Sequence, residues 1–435
     1  MRKIFILGSS FGIIKLIETI RSKDHDSEIT LFSLDGKLPC DREQFGRLIA
    51  KEIEFKNIYP RSEKFFKEHQ VTLVLDKTLS RINFKRNKIF TEEKVQYDYD
   101  VLIMTDSVGY RFPDIKGVTK IGVHGLRRAS DLEKINGALT FMQSAVVCSD
   151  SLSGLDLALN IAKRKREVYL IRSTVQLFSF LSEEGALDWM IGLLRSQGVE
   201  LLCNNGVVDV LGDSDVKAVR LKSKKVIATE LLIFTEAQED LRFCLDTGLE
   251  FSEKIKVDDK SKTNFDNVFA FDNVCTFLDD PFSLEDIKSS EYLNAQALTV
   301  AQQLISEPCS VTSTVLIREI LHDAVHVFFI GSGFTDPNVE SFGQFSPEQN
   351  TYKKVFVKAG IVIGAVLINA KSERDTFVKL IEMRIAFDQS EFAGWKVQQV
   401  LVSEGDSIHN IELLKEVISN ESDKATGQPS EQMLN

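Results

Sequence analysis

A chain of 435 residues has room for two or three domains, each with its own core. Its 43% hydrophobic and 27% charged content is that of an ordinary folded globular protein. The formal net charge of −11 argues against nucleic acid or an anionic membrane surface as the main partner, and no apolar run approaches the roughly 20 residues that a spanning helix needs.

The opening segment, MRKIFILGSSFGIIKL, reads as a buried strand that passes through a glycine turn into a helix running to about Ser22. Arg2 and Lys3 before an apolar stretch imitate a secretion signal. However, Lys15, Glu18 and Arg21 interrupt that stretch and no small-residue cleavage site follows, so the expectation is a cytoplasmic protein. The N–H groups that open a helix form an anion site suited to a dinucleotide pyrophosphate. Of the three glycines in G-x-G-x-x-G, Gly8 is kept, the second position is Ser10 and the third is Ile13, with Gly12 as an extra glycine.

EITLFSLD at 28–35 is a second strand, and it ends at Asp35, near where a ribose-binding carboxylate belongs. Residues 61–70 read as a helix, VTLVL at 71–75 as a short strand, and 82–97 as an alternating hairpin. YDVLIMT at 99–105 has the apolar character of a central parallel strand. A second unit starts near residue 120. AVVCS at 145–149 is a strand, DSLSGLDLALNIAKRK the helix after it, and REVYLIR a further strand ending at Arg172. Helical periodicity over 183–197, the strand VELL and a hairpin-like stretch to Thr235 complete the unit. The strand–turn–helix pattern therefore occurs twice, roughly 140 residues apart, which is far more specific than one occurrence. After a helical stretch to about Ser306, VHVFFIGSG, YKKVFVKAGIVIGAVLIN and a helix at 372–385 read as a small α+β domain. The tail from about Asn420 is polar and is expected to be disordered.

Cys40, Cys148, Cys203, Cys244, Cys275 and Cys309 are scattered, with no C-x-x-C spacing, which gives no support for a disulfide framework, a zinc site or an iron–sulfur cluster. His322 and His326 would share a face if LIREILHDAVHVFF were helical. No carboxylate or cysteine of ligand spacing accompanies them, so no metal site is expected.

Several local patterns, taken in this order, resemble the FAD-dependent pyridine-nucleotide oxidoreductases, in particular the branch of rubredoxin reductases and the flavin-binding part of NADH-dependent nitrite reductases. The resemblance covers about residues 2–385. GSSFG at 8–12 looks like the glycine–x–serine form of the phosphate loop, with Gly8, Ser10, Phe11 and Gly12 at the flavin nucleotide. LPCDREQFGRLIAKE at 38–52 resembles the loop that carries an arginine, here Arg42, which suits the flavin pyrophosphate or isoalloxazine edge, or else is a solvated loop residue. LSRINF at 79–84, headed by Leu79, looks like the adenine-contacting strand. YDVLIMTD keeps Thr105 and replaces a glycine with Asp106, and NVFAFDNV at 267–274 has Asp272 and Asn273 where the family has glycine and aspartate. Asn273 still offers a carbonyl to a ribityl hydroxyl.

The resemblance implies an α/β protein with two Rossmann-like FAD- and NAD(P)-binding domains built on parallel sheets, the second inserted in the first, plus a small C-terminal α+β domain. The implied parts are 1–118 and 246–315 for FAD, 119–245 for the NAD(P)-like domain, 316–400 for an interface or dimerisation domain, and 401–435 as an extension. It implies FAD, NADH or NADPH, an electron-acceptor protein as partner and a homodimer, with no nucleic acid, membrane or metal. No catalytic residue is singled out. In the middle domain the turn reads Ser149, Ser151, Gly154, and Asp150 brings a negative charge toward a pyrophosphate. Arg172 stands where an NADH ribose carboxylate would be, and is either a partner for a 2′-phosphate or a solvated strand-end residue. Glu236 and Glu239 replace the family's glycine and proline. Two functions follow: electron transfer from NAD(P)H through flavin to an acceptor, or a non-catalytic binding or regulatory module that kept the architecture after losing cofactor sites.

Overall fold

The structure is a computed structural model, described here over residues 1–105, 109–173, 181, 185–235, 238–276, 289–307, 315, 317–322, 325–334 and 339–384. The described helices are α1 (Ile13–Arg21), α2 (Phe45–Ile49), α3 (Glu63–Glu68), α4 (Ala129–Ala138), α5 (Leu152–Ala162), α6 (Ala186–Ser196), α7 (Ser290–Leu304) and α8 (Arg374–Met383). The chain divides into two compact units, Met1–Leu177 with Leu194–Thr314, and Phe178–Leu193 with Val315–Asn435.

The apolar run at the start of the chain becomes the strand Lys3–Leu7 at the centre of a five-stranded parallel sheet. Across the sheet the order is Val268–Ala270, Val101–Met104, Lys3–Leu7, Glu28–Phe32 and Val71–Val74. A wholly parallel sheet must be covered on both faces, and alternate side chains of the central strand supply each cover. Ile4 and Ile6 pack with Ile13, Ile17 and Val300 of α1 and α7. Phe5 and Leu7 face Ile82, Phe84 and Ile89, which belong to an antiparallel meander of three strands rather than the expected two-stranded hairpin. From Lys3–Leu7 the chain winds outward to Glu28–Phe32 and Val71–Val74, then returns to fill the other side. The carboxyl end of the central strand is therefore a topological switch point, where open α/β sheets bind ligands.

The second parallel sheet repeats the plan within the first unit. Its order is Val199–Leu202, Glu167–Ile171, Ser144–Cys148, Leu232–Phe234 and Val123–Gly125. Three antiparallel strands, Val207–Leu211, Ala218–Leu221 and Val226–Ala228, accompany it. The two halves touch through α2 and α5. Gly46 of α2 lies so close that an added Cβ would come within 2.4 Å of the Asp156 carboxylate.

The second unit is an antiparallel sheet in the order Ile317–His322, Val325–Gly331, Ile361–Ile368, Thr351–Lys358, Glu340–Ser346. Phe328, Val355 and Leu367 on one face pack against Phe377 and Leu380 of α8. The condition under which His322 and His326 would share a helix face is not met, because Ile317–His322 and Val325–Gly331 are paired strands. His322 ends one strand opposite Val325, while His326 pairs with Leu321, so the two imidazoles leave the sheet on opposite faces. Val325 and Val327, β-branched and two apart, suit a strand better than the histidine spacing suits a helix. No cluster of metal-ligating side chains occurs among the described residues, and no described helix is long and apolar enough to cross a membrane. The tail beyond residue 384 lies outside the described residues.

Phe377 is 1% exposed. Replacing it with alanine is expected to cost about 3–5 kcal/mol, read from denaturant melts, and an unchanged midpoint would show that α8 is not holding the sheet.

Candidate functional site

At the first switch point, Gly8 follows the central strand with φ of 131°, a conformation that L side chains resist. Its N–H donates to Phe32 O at 2.9 Å. Ser9 and Ser10 are buried; Ser10 Oγ accepts weakly from Gly12 N–H at 3.4 Å, and Ser10 O accepts from Ile13 N–H at 3.2 Å as α1 begins. Phe11 lies half-buried in the turn. Gly12, the extra glycine of the motif, sits where two elements approach closely. A Cβ there would lie 2.6 Å from Leu293 O of α7 and 2.9 Å from the Phe271 ring, so this glycine lets α1 pack on α7.

Thr105 and Asp272 end the neighbouring strands. Thr105 is wholly buried, and its N–H donates to Leu7 O at 2.9 Å. Asp272 has φ of 70°, which explains why the family pattern prefers glycine here. The aspartate meets that constraint locally, because its Oδ1 accepts the N–H of Asn273 at 2.7 Å. Its other oxygen faces Arg42, with Nη1 to Oδ2 at 3.8 Å and both side chains buried. The structure thus replaces the solvated-loop alternative for Arg42 with a buried guanidinium at the switch point. Arg42 is held there because Asp41 caps the short turn Arg42–Gln44, and Glu43 accepts both the N–H and the hydroxyl of Ser290, at the head of α7, at 2.9 Å.

Gln296 was not apparent from the sequence. Its Oε1 accepts the N–H of Asp272 at 3.1 Å, and its buried Nε2 has no protein partner. The available signal was a polar residue on the face of α7 that carries Leu293, Ala297 and Val300. A glycine turn, a buried cation, the buried Asn273 amide and an unspent amide donor suit a flavin dinucleotide. Asp35 is used in its own turn, accepting from Ser33 Oγ at 2.9 Å and Lys37 N–H at 3.1 Å. Leu79 lies in the core between sheet and meander. Asp106 falls outside the described residues.

At the second switch point, Gly154 is required for packing, since a Cβ would meet that of Ser149 at 2.0 Å. Ser149 Oγ accepts from Thr235 Oγ1 at 2.7 Å and from Ser151 N–H at 3.1 Å, and lies 3.1 Å from Ser151 Oγ. Arg172 is fully buried, not a solvated strand end. Its Nη1 donates to Ser151 O at 3.3 Å, its Nη2 donates to Asp150 O, and the guanidinium lies 3.8 Å from the Asp150 carboxylate. Burial pushes the nearby Cys203 thiol upward against the pull of Arg172. In this arrangement the side chains of Ser149, Ser151 and Arg172 are engaged with one another and with the turn's own carbonyls. Glu236 and the Glu239 side chain fall outside the described residues.

The sequence profile of the pyridine nucleotide-disulphide oxidoreductases matches residues 2–297, and that of the rubredoxin NAD+ reductase C-terminal domain matches 324–385. The chain is 24% identical to the epsilon subunit of NADH-dependent phenylglyoxylate dehydrogenase of Aromatoleum evansii, over 62% of this chain and 64% of that one. It is 23% identical to the NAD(P)H nitrite reductase of Bacillus subtilis (strain 168), over 94% of this chain and 50% of that one. The chain thus spans about half to two thirds of these relatives. The fold is similar to that in the covalent putidaredoxin reductase–putidaredoxin complex, with a TM-score of 0.80, 15% identity, and coverage of 97% of this chain and 99% of that one.

Two substitutions test the packing at these turns. Gly154→Ala is expected to destabilise by about 1–3 kcal/mol through overpacking on Ser149, measured by chemical denaturation. Asp272→Ala is expected to cost about 3–5 kcal/mol by removing the carboxylate from a buried guanidinium, and Asp272→Asn less, since the amide keeps the bond to Asn273 N–H. Wild-type stability in Asp272→Ala would discount the Arg42 pair.

Proposed function

Because the chain belongs to the pyridine nucleotide-disulphide oxidoreductase family, we propose that it is an FAD-dependent oxidoreductase, taking electrons from NADH or NADPH and passing them to a small electron-transfer protein of the ferredoxin or rubredoxin class. The observation that carries the flavin part is the first switch point, where Gly8, buried Arg42 and the unspent Gln296 amide converge on the carboxyl ends of three parallel strands. When bound there, FAD supplies the acceptance of a hydride and the release of single electrons.

The protein's part is binding and orientation. Gly8 and the first turn of α1 admit the pyrophosphate to backbone N–H groups, and Arg42 supplies positive charge. Asn273 takes the ribityl hydroxyl through its side-chain carbonyl, a neutral acceptor where the family pattern has a carboxylate. Gln296 holds Asp272 in its left-handed conformation while keeping a donor for the flavin. The second unit, whose matched profile is that of a rubredoxin reductase C-terminal domain, is proposed as the surface for the acceptor or for a second copy of the chain.

The filled turn at Ser149–Gly154 favours a second reading, a flavin-binding module that no longer uses a nicotinamide coenzyme. One experiment separates the two. The purified full chain is expected to be yellow, or to become so with added FAD, and to bleach anaerobically with NADH or NADPH. Colourless protein that takes up no FAD would overturn the flavoprotein assignment. Bound FAD that neither coenzyme reduces would favour the second reading.

A further inference from the structure

The middle turn carries an arginine at the strand end where a dinucleotide site holds the ribose, and that arginine has no exposed surface. Its guanidinium bonds the carbonyls of Asp150 and Ser151, the two residues that lead into α5, and faces the Asp150 carboxylate. Asp150 is also bonded by Ser173 Oγ, a further tie between the turn and the strand end. Ser149 completes the closure by engaging Ser151 and Thr235. Meanwhile the buried hydroxyl of Ser153, in the first turn of α5, has no partner among the described residues.

We infer that Arg172 is a resident competitor at the middle turn: it holds the turn closed, and a nicotinamide coenzyme binds only when its guanidinium withdraws. The inference rests on the proposed donor class. Two effects act together. An incoming pyrophosphate must break charge-assisted bonds that Arg172 makes to the turn. Withdrawal also removes the counter-charge of Asp150, which then repels the phosphates. A site that is competent only part of the time shows affinity reduced by its open fraction, so removing the competitor restores affinity. Arg172 thereby sets how strongly this chain selects for or against its donor.

The test is calorimetric titration of the full chain with NADH and, separately, NADPH, with FAD uptake recorded on the same samples. Arg172→Met keeps the apolar stem and most of the volume, and Arg172→Ala removes both. Each is expected to bind NADH at least tenfold more tightly than wild type. Unchanged or weaker NADH binding in a folded variant overturns the inference, and a selective loss of NADPH binding would instead assign Arg172 to a 2′-phosphate. If neither Arg172 variant folds, Asp150→Asn carries the test, since it removes both the ion pair and the repulsion. It too is expected to tighten NADH binding, and no tightening overturns the inference. Protein that takes up FAD but binds neither coenzyme in any variant overturns both the inference and the donor class, leaving the flavoprotein assignment standing. Colourless protein whose variants still tighten on NADH upholds the inference and overturns the flavoprotein assignment instead.

Discussion

A parallel sheet ends all its strands at one edge, and at both such edges of the first unit a buried guanidinium faces a carboxylate of the same chain at 3.8 Å. Neither charge is tolerable alone in a buried setting, so each pair constrains the loops that carry it. Arg42 and Asp272 join segments 230 residues apart in sequence at one edge, and Arg172 and Asp150 join a strand end to the neighbouring turn at the other. The positions of α1, α5 and α7 relative to the strand ends follow from these loops.

The two edges use similar chemistry to different ends. At the first, the Arg42–Asp272 pair lies on the strand ends beside the turn at Gly8, and Gln296 retains a donor without a partner among the described residues. At the second, Arg172 donates to the turn itself, and the serine hydroxyls bond one another. The first edge leaves an amide donor unspent, and the second spends its arginine and serines on the turn itself. The retained glycines divide in the same way. Gly12 and Gly154 survive because a Cβ would collide with protein, at 2.6 Å and 2.0 Å respectively, whatever the ligand. The glycines that would serve only phosphate approach have become Ser10 and Ser151. At position 272, where conformation alone asks for glycine, an aspartate can serve because its side chain bonds the next N–H.

Much of the fold was legible because buried parallel strands are short, nearly continuous apolar runs. KIFIL and SAVVC sit at the centres of their sheets and VLIM is an interior strand beside KIFIL, as their apolar character suggests. The site was legible where a motif combined a turn with a helix head, as at Gly8 and Ser149–Gly154. It was not legible where the candidate site draws on a single polar side chain within an apolar helix face, as with Gln296, or on a carboxylate that bonds the head of a distant helix, as with Glu43. The histidine spacing in LIREILHDAVHVFF did not by itself distinguish helix from strand. Four residues is about one helical turn, but here His322 and His326 lie in two paired strands.

By itself, then, the sequence determined the repeated strand–turn–helix plan, the parallel sheets and the residues available at each turn, since these rest on local periodicity and on backbone preferences of neighbouring residues. Only the tertiary structure decided what those residues do. Arg42 and Arg172 are both arginines in loops after strands, and nothing in their local sequence tells one from the other. Burial and the carbonyls or carboxylate within reach distinguish them, and those partners come from distant loops or from the turn on the neighbouring strand. Electrostatic partners in a protein interior are set by proximity in space, which periodicity along the chain does not record.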